Sequence, residues 1–442
     1  MYNEKYTVAI VGRPNVGKST LFNKIVKKRV AIVSDYAGVT RDRNFATVCH
    51  NEKEFILVDT GGFIEDKNEL QDKLNEQTKI AIDDADTVIF VLDAKSGINP
   101  DDFYFANYLR KCNKKVLLVA NKSETKINKL KAEEFHELGM GEPMLISSEH
   151  NLNIVSLKDQ IVGDFNIAET TSLSDGKNVV FALIGKPNTG KSTLTNKLLG
   201  SKKVITSAQA GTTRDSIAHD LHHYGRDYTI IDTAGIRRKT KIKCEIEKFS
   251  VIRSLNTITN ANVVVYLIAA DEMISDQDMK LINFIIDEGK SLIIAINKCD
   301  LLSKQELKIF TDAIKEKLEF AYFAIIINIS AKTGHGINLL WRSIYNAYNT
   351  SMTKFSTKKL TEILRLATSK NPPSVSSGRF SKMHLAHPGG NNPPTIIIHG
   401  KQTDKLTNQY KRYLVKFFYQ KLNVKGNPIK LYFKNTKNPY DN

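Results

Sequence analysis

Two rhythms of apolar residues alternate along this chain. The runs Val8–Val11, Phe55–Val58, Val88–Leu92 and Val116–Ala120 are apolar at successive positions and rich in β-branched residues, the pattern of strands buried on both faces. Between them lie stretches of helical period such as Asp101–Arg110. The succession then returns, with Val180–Ile184, Tyr228–Ile231, Val263–Ile268 and Leu292–Ile296 as strands and Asp276–Asp287 as a helix. Strands alternating with helices predict an α/β fold, a parallel sheet covered by helices on both faces.

The return is a true internal repeat. Residues 8–42 align without gaps on residues 181–215, at a constant offset of 173, with 18 of 35 positions identical. The offset also carries Asp59-Thr60-Gly61-Gly62 onto Asp232-Thr233-Ala234-Gly235. A duplicated domain therefore accounts for most of the chain: residues 1–163 and 178–350, joined by the polar, aperiodic linker 164–177. The remainder, 351–435 with a loose tail 436–442, has a different pattern. A helix around Lys358–Ser369 is followed by strands Met383–His387 and Thr395–Gly400, which Pro388-Gly389-Gly390-Asn391-Asn392-Pro393-Pro394 separates. A helix Thr403–Leu422 and a strand Ile429–Phe433 complete an α-β-β-α-β order, with Tyr413, Leu414, Phe417 and Phe418 on the core face of the second helix.

Composition narrows the class. Apolar residues at 41% and charged residues at 25% fit a soluble globular chain. Apolar runs such as Val263–Ala270 fall far short of the ~20 residues that span a bilayer, and the polar start Met1–Tyr6 is not that of a signal peptide. Cys49, Cys112, Cys244 and Cys299 are scattered without metal-ligand or redox spacing, so a reducing cytoplasm is expected. The net charge of +17 is unevenly placed. In 351–442, 14 Lys and 3 Arg oppose only Glu362, Asp404 and Asp441, a surplus of +14 that leaves +3 for the first 350 residues. So concentrated a field favours a polyanionic partner.

The chemistry lies at the strand ends. Gly12-Arg13-Pro14-Asn15-Val16-Gly17-Lys18-Ser19 and Gly185-Lys186-Pro187-Asn188-Thr189-Gly190-Lys191-Ser192 each follow an apolar strand and open a helix, the context of a phosphate-binding loop. Backbone N–H groups and the helix N-terminus would close around phosphate oxygens. Lys18 and Lys191 would reach the β- and γ-phosphates, and Ser19 and Ser192 would ligand Mg²⁺. Asp59 and Asp232 begin Asp-x-x-Gly elements that can hold Mg²⁺ through water. Thr40 and Thr213, in matching Gly-x-Thr-Arg-Asp segments 21 residues beyond each loop serine, can ligand Mg²⁺ only when a γ-phosphate is present, which makes those loops switches.

Base choice follows from Asn297-Lys298-Cys299-Asp300. A fixed carboxylate accepts from guanine N1–H and its 2-amino group and is left unpaired by adenine. Ser330-Ala331-Lys332 fits the loop that backs the base. The first-copy equivalents, Asn121-Lys122-Ser123-Glu124 and Ser147-Ser148-Glu149, depart from that pattern, and weaker or less discriminating guanine binding is expected there. Phe63 and Ile236 follow Asp-x-x-Gly where many GTPases place a water-orienting glutamine, so slow basal hydrolysis is expected unless another positive charge assists.

Together these motifs resemble the EngA/Der family of bacterial ribosome-assembly GTPases over essentially the whole chain. The resemblance implies two tandem P-loop G domains, an α+β KH-like domain over 351–435, GTP hydrolysis with Mg²⁺, and association with the maturing large ribosomal subunit. In this group a phosphate-loop asparagine, matched by Asn15 and Asn188, can help hold K⁺ beside the phosphates, supplying the charge that the absent glutamine does not. The segment Asp232-Thr233-Ala234-Gly235-Ile236-Arg237-Arg238-Lys239 looks like the family's second-domain switch; its basic cluster, continuing through Lys241 and Lys243, is either a docking surface or a solvated loop. One departure is that 351–435 lacks the Gly-x-x-Gly loop by which KH domains clamp single-stranded RNA.

The expectation is a molecular switch for large-subunit maturation, contacting rRNA and ribosomal proteins, with no membrane or DNA partner and monomeric when free. Two alternatives belong to other classes. A metabolic P-loop NTPase would need a third substrate pocket, and none is evident. A GTP-regulated tRNA-modification or membrane-associated factor would carry a Cys-rich tail, an amphipathic anchor or a lipidation signal, and none is seen.

Overall fold

A computed structural model describes residues 5–26, 44–62, 76–163, 178–200, 207–209, 217–232, 250–373, 375–376 and 379–435. The linker 164–177, the tail 436–442, Cys244, and the basic cluster after Ile236 lie outside the described residues. The chain divides into two compact units, one built on the first sheet, the other on the second sheet together with the C-terminal domain.

In the first repeat β1 (Tyr6–Val11), α1 (Lys18–Ile25), β2 (Phe45–His50), β3 (Lys53–Asp59), α2 (Glu76–Asp84), β4 (Thr87–Asp93), α3 (Pro100–Lys111), β5 (Lys115–Asn121), α4 (Lys126–Ala132), β6 (Met144–Leu145) and α5 (Ile154–Gly163) follow in order. Their sheet runs β2-β3-β1-β4-β5-β6. The second repeat comprises β7 (Val179–Gly185), α6 (Lys191–Leu199), β8 (Ser207–Gln209), β9 (Ile217–His223), β10 (Arg226–Asp232), α7 (Val251–Asn260), β11 (Val263–Ala269), α8 (Asp276–Asp287), β12 (Ser291–Asn297), α9 (Lys304–Lys317), β13 (Ile325–Asn328) and α10 (Ile337–Ser351). Its sheet runs β13-β12-β11-β7-β10-β9-β8.

Every pairing among the central strands is parallel, and those strands are the continuous apolar runs of the sequence. The expected parallel sheet is present in each copy, and antiparallel pairing is added toward one side of it. There β2 pairs antiparallel with β3, and β9 with β10. The cause is a two-residue turn: Asn51 and Glu52 in the first copy, and Tyr224 and Gly225 in the second, all take positive φ. Such turns can join only antiparallel neighbours. These two strands went unpredicted because their apolar content is diluted, as in Phe45-Ala46-Thr47-Val48-Cys49-His50.

The last domain comprises α11 (Thr357–Lys370), the two-residue strands β14 (Val375–Ser376) and β15 (Arg379–Phe380), then β16 (Lys382–Gly390), β17 (Thr395–Lys401), α12 (Asn408–Leu422) and β18 (Lys430–Asn435). A three-stranded sheet, β16-β17-β18, is antiparallel on one side and parallel on the other. Two boundaries differ from expectation. The second helix begins at Asn408, not Thr403, because Thr407 accepts from Tyr410 N and caps it, while Leu406 is extended. Strand β16 runs on through Pro388-Gly389-Gly390, its irregular register absorbing the proline. The core is where the helical period placed it: Leu414 and Phe418 are fully buried, Phe417 is buried, and the half-buried Tyr413 donates its hydroxyl to Ala367 O at 2.8 Å.

Within the second unit this domain is bonded directly to the sheet beside it. Leu292 N donates to Gly426 O (2.8 Å) and Gly426 N to Phe323 O (2.7 Å). The Asn427 side chain, fully buried, donates to Ala347 O at 2.9 Å and pairs with the Ser291 hydroxyl. Gly426 holds a φ of 79°, and a Cβ there would press on Ile325 and Ala347, so the close approach requires glycine. Tyr322 and Tyr419 meet edge to face at 5.0 Å across the same seam. Replacing Asn427 with Ala orphans the buried Ser291 hydroxyl, at about 1–3 kcal/mol. Trp341, the chain's one tryptophan, meets Phe181 edge to face in the second core and reports on this unit. The stability of Asn427→Ala, followed by its fluorescence in urea, should fall by about 1–3 kcal/mol; an unshifted midpoint would mean that the seam carries no stability.

Candidate nucleotide-binding sites

Parallel strands bring their C-terminal ends to one edge of the sheet, and loops with chemical work gather there. At the end of β1 the backbone turns through Gly12 into α1. A Cβ on Gly12 would strike the Val91 carbonyl of β4, and one on Gly185 the Leu267 carbonyl of β11. Gly17 and Gly190 cap the helices at φ 95° and 93°, where a Cβ would collide with the side-chain amides of Asn121 and Asn297. Only glycine fits at these four places, for the same reason in both copies. Asn15 and Asn188, exposed between the glycines, are also left-handed.

The lysine of each loop curls back under it. Lys18 Nζ donates to Gly12 O and Arg13 O, both at 2.8 Å, and Lys191 Nζ to Gly185 O (3.0 Å) and Lys186 O (2.5 Å). Both lysines are buried. Desolvation lowers the pKa of Lys18, partly offset by the nearby Asp59 carboxylate. An ammonium poised beside free helix N–H groups is an anion site. Ser19 Oγ donates to Asp59 Oδ2 at 2.7 Å, and Gly61 N donates to the other carboxylate oxygen at 2.9 Å. A hydroxyl and a carboxylate so close form the pair of hard oxygen donors that Mg²⁺ takes alongside phosphate. In the second copy the backbone of Asp232 ends β10 equivalently, but its side chain lies outside the described residues. So do Thr40, Phe63, Thr213, Thr233, Ala234, Gly235 and Ile236.

One asparagine ties each site together. Asn121 Nδ2 donates to Val16 O (2.9 Å) in the phosphate loop, while its Oδ1 accepts from Ser148 N (2.9 Å). Asn297 repeats this with Thr189 O (2.7 Å) and Ala331 N (2.9 Å). Ser148 therefore stands where Ala331 does. The next residues, Lys122 and Lys298, share a left-handed φ of 64° and 62°. Lys122 Nζ reaches Asn15 O (2.9 Å) and Asp93 (2.6 Å); Lys298 Nζ pairs with Asp271 at 3.0 Å. Ser123 is buried and donates to Ala120 O at 2.8 Å, while Cys299 is buried below its loop with a thiol pKa raised by burial. Asp300 is exposed, and its carboxyl is held below the usual range by the Ser330 hydroxyl, with Lys332 contributing. Glu124 is likewise exposed, but Glu149 replaces the lysine that attends Asp300.

Sequence reasoning overlooked two buried acids. Arg13 reaches from the phosphate loop to Asp102 (3.1 Å), Ser96 Oγ (2.8 Å) and Gly97 O (3.1 Å). Lys186 makes the matching 3.1 Å pair with Asp278, which also accepts from the Tyr266 hydroxyl at 2.7 Å. Asp102 and Asp278 are the third residues of α3 and α8 and close capping boxes with Asn99 and Ser275. The Asn-x-x-Asp and Ser-x-x-Asp spacings were visible; their second role toward the loop was not.

Two phosphate loops, each tied by an asparagine to a base-side loop, define a protein with tandem P-loop G domains. A family model described as a 50S ribosome-binding GTPase matches residues 7–122 and 180–298. A model for the C-terminal KH-domain-like part of EngA bacterial GTPases matches 354–434. GTPase Der of Legionella pneumophila (strain Corby) is 43% identical over 435 residues, covering 98% of this chain and 94% of that protein. GTPase Der of Saccharophagus degradans is 41% identical over 98% of this chain and 92% of its own, and that of Acinetobacter baumannii (strain AYE) 42% over 99% and 93%. The chain belongs to the EngA/Der family of tandem-G-domain ribosome-assembly GTPases, with GTP as its substrate. Among the described residues no helix is long and apolar enough to cross a membrane.

Asn297→Ala orphans Thr189 O and Ala331 N, at about 1–3 kcal/mol each. In a chain whose first site is disabled by Lys18→Ala, affinity for a fluorescent GTP analogue should fall at least about tenfold, about 1.4 kcal/mol, with the far-UV circular dichroism retained. Unchanged affinity would remove the asparagine from the site.

Proposed function

We propose that both G domains bind GTP and that the chain acts as a switch in maturation of the large ribosomal subunit. The observation that supports this most is the doubled asparagine tie, which couples the loop around the phosphates to the loop beside the base in each copy. In this reading residues 1–163 and 178–350 are the G domains and 351–435 the KH-like domain. Backbone groups of Gly12–Ser19 and Gly185–Ser192 cradle the phosphates, and Lys18 and Lys191 neutralise the β- and γ-oxygens. Asp300 reads guanine, with Ser330, Ala331 and Lys332 behind the base. Glu124, with Ser147, Ser148 and Glu149, does so less selectively in the first domain.

The residues that would hold Mg²⁺ are Ser19, Thr40 and Asp59 in the first site and Ser192, Thr213 and Asp232 in the second. When bound it neutralises charge on the β- and γ-phosphate oxygens. Thr40 and Thr213 respond to the γ-phosphate, so their loops rearrange on hydrolysis. Phe63 and Ile236 offer no hydrogen bond to an attacking water, so the protein's own turnover is slow. Asn15 and Asn188, held exposed by their left-handed backbone, are the residues that would face K⁺. Replacing Na⁺ by K⁺ at constant ionic strength should raise GTP hydrolysis several-fold; equal rates would dismiss the K⁺ role.

The excess positive charge of 351–442 is suited to rRNA. Purified protein should sediment with isolated large subunits in the presence of a non-hydrolysable GTP analogue, less with GDP, and progressively less as salt rises, because phosphate contacts release counterions. Absent or salt-insensitive sedimentation would instead favour a metabolic NTPase.

A further inference from the structure

We propose that the outer face of the C-terminal sheet, the side turned away from α11 and α12, is an RNA-docking surface that takes a single-stranded stretch. The proposal rests on the ribosomal reading above and adds the surface that reading lacks, since the domain has no Gly-x-x-Gly loop.

Alternation sorts the three strands into two faces. Ala386, Ile396, Ile398 and Leu431 are fully buried under the helices. The other side presents Lys382, Lys401 and Lys434, which are exposed, with His387, His399 and Tyr432 half-buried among them. Register sets Lys382 directly opposite Lys401, two like charges, and places His399 opposite Lys434. The rings of His387 and His399 stack at 5.1 Å with their Nε2 atoms 3.0 Å apart. The pKa of His399 is lowered by burial first, then by His387, Lys434 and His384.

Like-charged cross-strand pairs cost stability, and nothing in the local sequence relieves them. Between Glu362 and Asp441 the one acid is Asp404, and its carboxylate accepts from Asn435 Nδ2 at 2.7 Å. A sheet face that concentrates lysines at the cost of its own repulsion is complementary to a polyanion. Flat rings of Tyr432 and the histidine pair among the lysines suit unstacked bases between phosphates, the arrangement that binds single-stranded nucleic acid. A duplex would present only its phosphates and leave the rings unused.

The test uses the full-length protein and a fluorescein-labelled single-stranded RNA of about 12 nucleotides, read by anisotropy across a salt series. The triple variant Lys382→Glu/Lys401→Glu/Lys434→Glu should weaken binding at least about tenfold and flatten the log–log salt slope by about 2, with GTP turnover unchanged. A control of equal charge, Lys358→Glu/Lys370→Glu/Lys416→Glu, alters exposed lysines of the two helices and should cost far less. Tyr432→Ala, which changes no charge, should weaken binding about fivefold or more. Equal losses in the two triples, or parent-like binding by the sheet triple and by Tyr432→Ala, would overturn the surface. Retention of the sheet triple on large subunits at parent levels would also overturn it, leaving the ribosomal reading intact. A parent chain that bound neither the oligonucleotide nor the subunits would fail the ribosomal reading itself.

Discussion

The structure depends on a buried amide that answers two partners at once. At the end of the strand after α3, and again after α8, an asparagine side chain donates to the phosphate loop and accepts from the loop that backs the base. Three segments far apart in sequence are thereby held at one edge of a parallel sheet. The loop glycine is pressed against that same amide, so a side chain on Gly17 or Gly190 would break the tie. Geometry at the phosphates and geometry at the base are in this way one constraint.

Duplication has kept the phosphate half of this constraint and let the base half drift. Both loops curl a buried lysine onto two carbonyls, and each is held to a helix distant in sequence, α3 or α8, by a cation on a buried aspartate, Arg13 on Asp102 and Lys186 on Asp278. On the base side the copies part. Asp300 has Ser330 and Lys332 to favour its charge. In the first copy Glu124 is longer, and Glu149 puts a like charge where the second copy has Lys332. The same backbone frame thus offers two different electrostatic settings for a base.

The C-terminal domain is joined to the second G domain by backbone bonds and a buried asparagine. The sheet neighbouring the second nucleotide site and the most basic part of the chain therefore belong to one packed unit. Strands β12 and β13 and helix α10 supply the seam, and β12 also ends in Asn297. A short path of packed elements connects the base loop to the domain that carries the charge.

Much of this was legible in the residues. Continuous apolar runs revealed the central strands because a strand buried on both faces has no polar side to dilute the signal. The phosphate loops, Asp59 and Asn297 were legible because their chemistry tolerates few residue types at fixed spacing. Strands β2 and β9 were not, since their apolar content is diluted and their direction is set by two residues of positive φ. The start of α12 was missed because the cap at Thr407 outcompeted an apolar pattern that continued upstream. What the sequence by itself determined was the repeat, the two glycine-framed strand–helix loops and the place of the excess charge, all properties of neighbours along the chain. Only the tertiary structure decided that Arg13 meets Asp102, that Ser148 N donates to Asn121, and that Lys382 faces Lys401. Those pairings depend on register and on strand order, which no local stretch of residues encodes.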